Sequence, residues 1–218
     1  MATIAVIDFE TNGQMPDQGG RPTEIAVALL SGGRVVGRFQ SLMNSQVWIS
    51  PFVEELTGIT NSMARAAPPA RQVMAKARDF VDARPMAAHN AAFDSKFWDC
   101  EMRRLDSNHT KTEFVCTMLL ARRVWPDAPN HKLGTLAELL RLPQTGRAHR
   151  AMADTEMACG VLMRIREALR KRHGIHEPPF DLLCELARAP AKKFEQTALD
   201  WAGGNIKAQT APGGHEPH

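Results

Sequence analysis

The chain has 218 residues, 44% of them hydrophobic, which suits one globular domain with a modest appendage. Its 27 Lys and Arg against 24 Asp and Glu leave a formal charge of +3, too near balance to announce a polyanion partner, so any basic face must be local. The four scattered cysteines form no CxxC pair, which argues against a zinc knuckle, a redox dithiol or a disulfide scaffold, and the absence of tyrosine excludes a tyrosyl nucleophile or base. A reducing, cytoplasmic setting is expected, with no membrane partner: Met1 leads into a short apolar stretch without a basic n-region or cleavage site, and no run of about 18 apolar residues is present.

Thr3 to Asp8 (TIAVID) is short, β-branched and almost wholly apolar, the pattern of a strand buried on both faces. After a polar loop, Thr23–Ser31 and Arg34–Met43 read as strands joined by Gly32-Gly33, a hairpin signal. Helical patterns follow at Pro51–Gly58 and Pro69–Ala83, then a short strand at Pro85–Ala88 and a helix at Ala91–Arg104. Phe114–Cys116 reads as a fifth strand, and helices are expected at Met118–Val124, Leu133–Leu142 and from about Arg150 to His173. Such an order implies an α/β domain over residues 1–173, a mixed five-stranded sheet flanked by helices. Beyond it, residues 174–201 are expected to be a short helical extension, with helices at Phe180–Arg188 and Lys192–Trp201. Residues 202–218, rich in Gly and Pro, are expected to be a disordered tail.

Three constellations carry chemistry. Asp8 and Glu10, in VIDFETNG, lie two apart at the end of the first strand and so project to one face, with Phe9 on the other. Burying two adjacent carboxylates is costly unless a cation sits between them, although a bare DxE also suits a solvated strand end or an Arg partner. In AHNAAFD, Asn90 is the expected N-cap and Asp94 falls in the first turn, where the helix dipole favours a carboxylate in any case. In GRAHRAMAD, His149 and Asp154 are about 140° apart around a regular helix, which places His149 on the loop before it.

In chain order, D-x-E, HNxxFD and H-x4-D resemble the DEDDh branch of the DnaQ-like 3′→5′ exonucleases, within the ribonuclease H-like superfamily. Lesser matches are Glu24-Ile25, the string Leu56-Thr57-Gly58-Ile59-Thr60, and His131-Lys132-Leu133. CTMLLARRVWP, Cys116–Pro126, is most similar to the exonuclease X group, followed by the proofreading subunits of replicative polymerases. The resemblance implies a two-metal phosphodiester hydrolase that releases nucleoside 5′-monophosphates from single-stranded DNA in repair or proofreading. Asp8, Glu10, Asp94 and Asp154 would be the ligands of two Mg²⁺ or Mn²⁺, and His149 the general base. Independently of it, a donor set of hard oxygens without Cys or His selects these ions over zinc.

By the same resemblance, Thr11 would hold the 3′-hydroxyl, Phe9 and Leu56 would pack on the last bases, and His89 and Asn90 would lie near the terminal nucleotide. For Phe9 and Phe93, core packing competes with base stacking. Arg147 and Arg150 flank the expected base and could meet phosphates. Trp48, Trp98 and Trp125 are read as packing residues. Gln196, Leu199 and Trp201 resemble a sliding-clamp-binding peptide, which competes with a marginal amphipathic helix. The alternatives to an autonomous enzyme are therefore a clamp-tethered or polymerase-associated module and an oligoribonuclease-like RNA-trimming enzyme.

Overall fold

The computed structural model describes residues 2–143 and 150–210. Among them, β1 (Ile4–Thr11) is antiparallel to β2 (Pro22–Ser31), and β2 is antiparallel to β3 (Arg34–Leu42). After helices α1 (Pro51–Thr57), α2 (Asn61–Ala66) and α3 (Ala70–Val81), strand β4 (Met86–Ala88) pairs parallel to β1. Helix α4 (Ala91–Leu105) leads to β5 (Phe114–Cys116), which pairs parallel to β4. The remaining helices are α5 (Thr117–Val124), α6 (Leu133–Leu139), α7 (Ala151–His173), α8 (Phe180–Arg188) and α9 (Phe194–Thr210). The resulting five-stranded sheet has the order β3-β2-β1-β4-β5.

Each face of the sheet has its own core. Ile4 and Val6 of β1 join Ala28 and Leu30 under α7, with Val161, Leu162 and Ile165. The intervening residues Ala5, Ile7 and Phe9 face Val73, Met74 and Ala77 of α3 and Phe97, Trp98 and Met102 of α4. The alternation of a strand thus sends the even residues of β1 toward α7, and Asp8 and Glu10 continue that row. β1 reaches Thr11 because its pairing with β2 continues through Glu10↔Glu24 and, after a register shift, Thr11↔Pro22. At its end Gly13 turns with φ +87°, where a Cβ would come 2.9 Å from Val53 Cγ2 of α1.

Several expectations are revised. α2 is a helix beyond those expected from the sequence; Thr60 caps it, its hydroxyl accepting the Met63 N–H at 3.1 Å. The helices expected within residues 174–201 are α8 and the start of α9, and their Leu183, Leu186, Phe194 and Ala198 join the core under the α7 face of the sheet. α9 also continues through Ala202 to Thr210, so helix replaces the expected disordered tail there, while residues 211–218 lie outside the described residues. No helix among the described residues is long and apolar enough to cross a membrane.

Candidate active site

The even face of β1 delivers Asp8 and Glu10 to the first turn of α7, where Asp154 completes a cluster of carboxylate oxygens all within 4.8 Å of one another. Asp94 arrives from the first turn of α4 and is 2% exposed. Its Oδ1 accepts the Phe9 N–H at 3.2 Å, so the backbone between the two β1 acids is tied to the carboxylate of α4. Asn90 is the N-cap of α4 by position, as expected, but it adopts a left-handed conformation (φ 65°) and makes no side-chain cap bond.

Such crowding shows in the acidities. Burial, followed by the negative charges of Asp94, Glu10, Asp154 and Glu24, pushes the Asp8 carboxyl well above the usual range. Burial and the charges of Asp154 and Glu24 push Glu10 up to about 8, against the opposing pull of the Arg150 guanidinium. Asp94 is pushed up to about 8 by burial, although backbone N–H groups oppose the shift. Acids held this close form a site that divalent metals would relieve. Hard oxygen donors without sulfur or imidazole among the clustered groups fit Mg²⁺ or Mn²⁺.

Glu24, which the sequence reading took only as a motif match, proves central. Opposite Glu10 on β2 and 1% exposed, it accepts from Arg150 Nε at 3.1 Å and Nη2 at 2.9 Å. It also accepts from the Ala151 N–H at 3.3 Å and from Gln40 Nε2 at 2.9 Å. This pairing seats the start of α7, and with it Asp154, against β1. Its sequence signal was a lone acid inside an apolar strand, which demands a buried cation partner.

Other expected contacts part company. Phe9 is 4% exposed and packs against Phe97, ring centroids 6.3 Å apart, so it belongs to the core rather than to a base-stacking surface. Phe93 likewise lies against Phe97, at 4.9 Å. Both His89 ring nitrogens are taken: Nε2 donates to the His131 carbonyl and Nδ1 meets the Thr117 hydroxyl, each at 2.9 Å. Burial holds the His89 pKa below its ordinary value, which favours the neutral ring. Arg150 is engaged by Glu24 instead of being free for a phosphate, while Arg147 and His149 lie outside the described residues. The Thr11 hydroxyl accepts the Gly13 N–H at 3.1 Å. Leu56 is 40% exposed, and Trp48, read as a packing residue, is 69% exposed. Of the clamp-like residues, Gln196 bonds Asp200 within α9, Leu199 is 53% exposed, and Trp201 packs on the core.

Residues 5–162 match the RNase_T family model, described as exonuclease. The 3′-5′ exonuclease DinG of Bacillus subtilis is 32% identical over 77% of this chain and 18% of its own length. DNA polymerase III subunit epsilon of Aquifex aeolicus is 27% identical over 79% of this chain and 85% of its own. The chain thus spans a minor part of DinG, and 12% of the PolC-type DNA polymerase III of Bacillus subtilis. Exonuclease X, solved in complex with 5′-overhanging duplex DNA, shares the fold with a TM-score of 0.61 at 24% identity, over 89% of this chain and 99% of that one. The chain therefore belongs to the RNase_T exonuclease family.

Proposed function

We propose that this protein is a divalent-metal-dependent 3′→5′ exonuclease that hydrolyses the terminal phosphodiester of single-stranded DNA to nucleoside 5′-monophosphates. The observation that carries the reading is the convergence of Asp8, Glu10 and Asp154 within 4.8 Å at the end of a buried strand, in a chain of an exonuclease family. Two Mg²⁺ or Mn²⁺, when bound, would polarise the scissile phosphate and its attacking water. Asp8, Glu10, Asp94 and Asp154 hold these ions. Glu24 and Arg150 keep Asp154 in place. Thr11, whose hydroxyl oxygen accepts from Gly13, still has its O–H to donate toward the 3′-hydroxyl of the terminal nucleotide. His149 takes the proton of the attacking water, a role suited to a group titrating near neutrality. That the relatives include polymerase III chains supports a DNA substrate in repair or proofreading. Unpaired Cys100, Cys116, Cys159 and Cys184 suit a reducing cytoplasm.

The test is a 5′-labelled single strand incubated with purified protein. A descending ladder and 5′-mononucleotides are expected with Mg²⁺ or Mn²⁺, with no cleavage in EDTA, in Asp8→Asn or in Asp154→Asn, or when the 3′ end is blocked. Cleavage of a circular single strand, or full activity in either variant, would overturn the reading.

A further inference from the structure

Helix α4 carries two buried carboxylates, Asp94 and Glu101, the second 3% exposed. They stand seven residues apart, two turns, and so look out from one side of the helix about 10 Å from each other. Asp94 lies close enough to Asp8 for its charge to raise the pKa of that acid. Glu101 has a cation instead: Arg21 donates to it through Nε at 2.6 Å and Nη2 at 3.0 Å, and Arg104 Nε lies 3.5 Å from its Oε1. A buried carboxylate demands such a partner, and a forked guanidinium fixes direction as well as charge.

That partner comes from outside the helix. Arg21 is the residue before β2, and it is bonded on both sides of its backbone to Asn12, the residue after β1. The Arg21 N–H donates to Asn12 Oδ1 at 3.0 Å, and the Arg21 carbonyl accepts the Asn12 N–H at 3.2 Å. The loop between them is closed tightly: Gly20 approaches the Gln14 carbonyl so nearly that a Cβ would lie 2.0 Å from its oxygen, and the helical turn Pro16–Gln18 touches α4. Three positions on one face of α4 therefore grip the end of β1. Asp94 takes the Phe9 N–H, Phe97 meets the Phe9 ring, and Glu101 holds Arg21.

We propose that the Arg21–Glu101 pair positions Asp94 by fixing the angle at which α4 meets the end of β1, an inference that rests on the metal-site reading above. If the Glu101 end is freed, a tilt of about 5° moves Asp94 by roughly 1 Å over the two turns between them. Metal–ligand distances tolerate only about 0.2 Å, so a shift of that size removes Asp94 as a ligand. Arg21 and Glu101 act only through α4 and are positioning residues.

The test replaces both partners together, Arg21→Met/Glu101→Leu, because apolar side chains of similar volume leave no buried charge behind and preserve stability. Tm should stay at or above that of the parent, while Mn²⁺ affinity, read by titration calorimetry on the metal-free full chain, should fall about 10-fold or more and kcat with it. Arg21→Lys keeps the charge but loses the fork, and should lie between the two. In an Asp94→Asn chain the same paired replacement should cost no further Mn²⁺ affinity, since the ligand that the pair places is already gone. Parental Mn²⁺ affinity in the paired variant, or an equal further loss in the Asp94→Asn chain, would overturn the proposal. If the paired variant does not fold, Arg21→Lys with and without Asp94→Asn decides the same question. A parent chain that binds no Mn²⁺ removes the metal-site reading itself, so the two failures are distinguishable.

Discussion

Replacing Glu24 by Gln tests whether the buried pair with Arg150 seats the catalytic helix. The change keeps the shape of the side chain and one carbonyl oxygen, but it removes the charge that holds both guanidinium contacts and the Ala151 N–H. Hydrogen bonds to a charged group contribute about 1.5–3 kcal/mol each, and breaking a fully buried pair costs about 3–5 kcal/mol. The Arg150 side chain keeps 34% of its exposure and can be rehydrated, so about 2–3 kcal/mol is the expected net loss. Relief of repulsion on Asp8 and Glu10 works the other way, but Arg150 already neutralises Glu24 at contact, and the lost bonds outweigh it. At 2–4 °C per kcal/mol for a chain of this size, Tm should fall by roughly 4–12 °C. A second effect follows from geometry. The released guanidinium is drawn to Glu10, whose acidity it already raises, and competes there with a bound cation, so Mn²⁺ affinity should weaken about 2–5-fold. Differential scanning calorimetry in EDTA and Mn²⁺ titration calorimetry give the two numbers. A Tm within about 2 °C of the parent together with unchanged Mn²⁺ affinity would refute the seating role.

The raised acid pKa values set the pH dependence of the metal-free fold. Glu10 and Asp94 hold their protons up to about 8, above their unfolded values, so folding takes up protons and stability falls as pH rises from the ordinary carboxylate range through about 8. Melting in EDTA should show a loss of about 1–3 kcal/mol between about pH 6 and pH 8, and Mn²⁺ should restore more at the higher pH. A flat or rising profile would contradict the crowding of these acids. Asp154→Asn, which removes one of the three clustered acids, should abolish metal-supported cleavage; full cleavage in the variant would contradict its place in the metal site. In α9, Trp201→Ala should cost about 1–3 kcal/mol because the ring packs on the core, whereas Leu199→Ala should stay within about 0.5 kcal/mol. Loss of clamp capture on Leu199→Ala without any change in melting would instead restore the clamp-peptide reading.

The sequence made the site acids legible because strand and helix periods are local. Two acids two apart on a β-branched strand must share a face, and Asp94 and Asp154 each follow a recognisable helix start. The sheet was legible for the same reason, since β1 and β2 announce burial on both sides. What escaped depends on tertiary docking. Trp48 looks like a core residue in any local pattern, and only the placement of α1 leaves it outside. No local pattern shows that Phe9 packs on Phe97 or that His89 bonds the His131 carbonyl, because both partners lie far away in sequence. Nor does the composition of residues 202–210 signal a helix, because it is polar and Gly-containing; its order continues that of a helix anchored by Phe194 and Ala198.

The order in which the chain supplies its acids has a consequence for synthesis. Asp8 and Glu10 are made early, but Asp154 belongs to α7, which packs on β1 and β2 and is made after β4, β5 and the intervening helices. Domains fold as their segments leave the ribosome, and contacts this distant in sequence form late. A nascent chain that has already built the β1–β2 hairpin therefore holds only two of the acids, with no third carboxylate to close the cluster. Hydrolytic competence arrives as one of the last events of folding, which keeps a half-made nuclease from acting on whatever strand lies within reach.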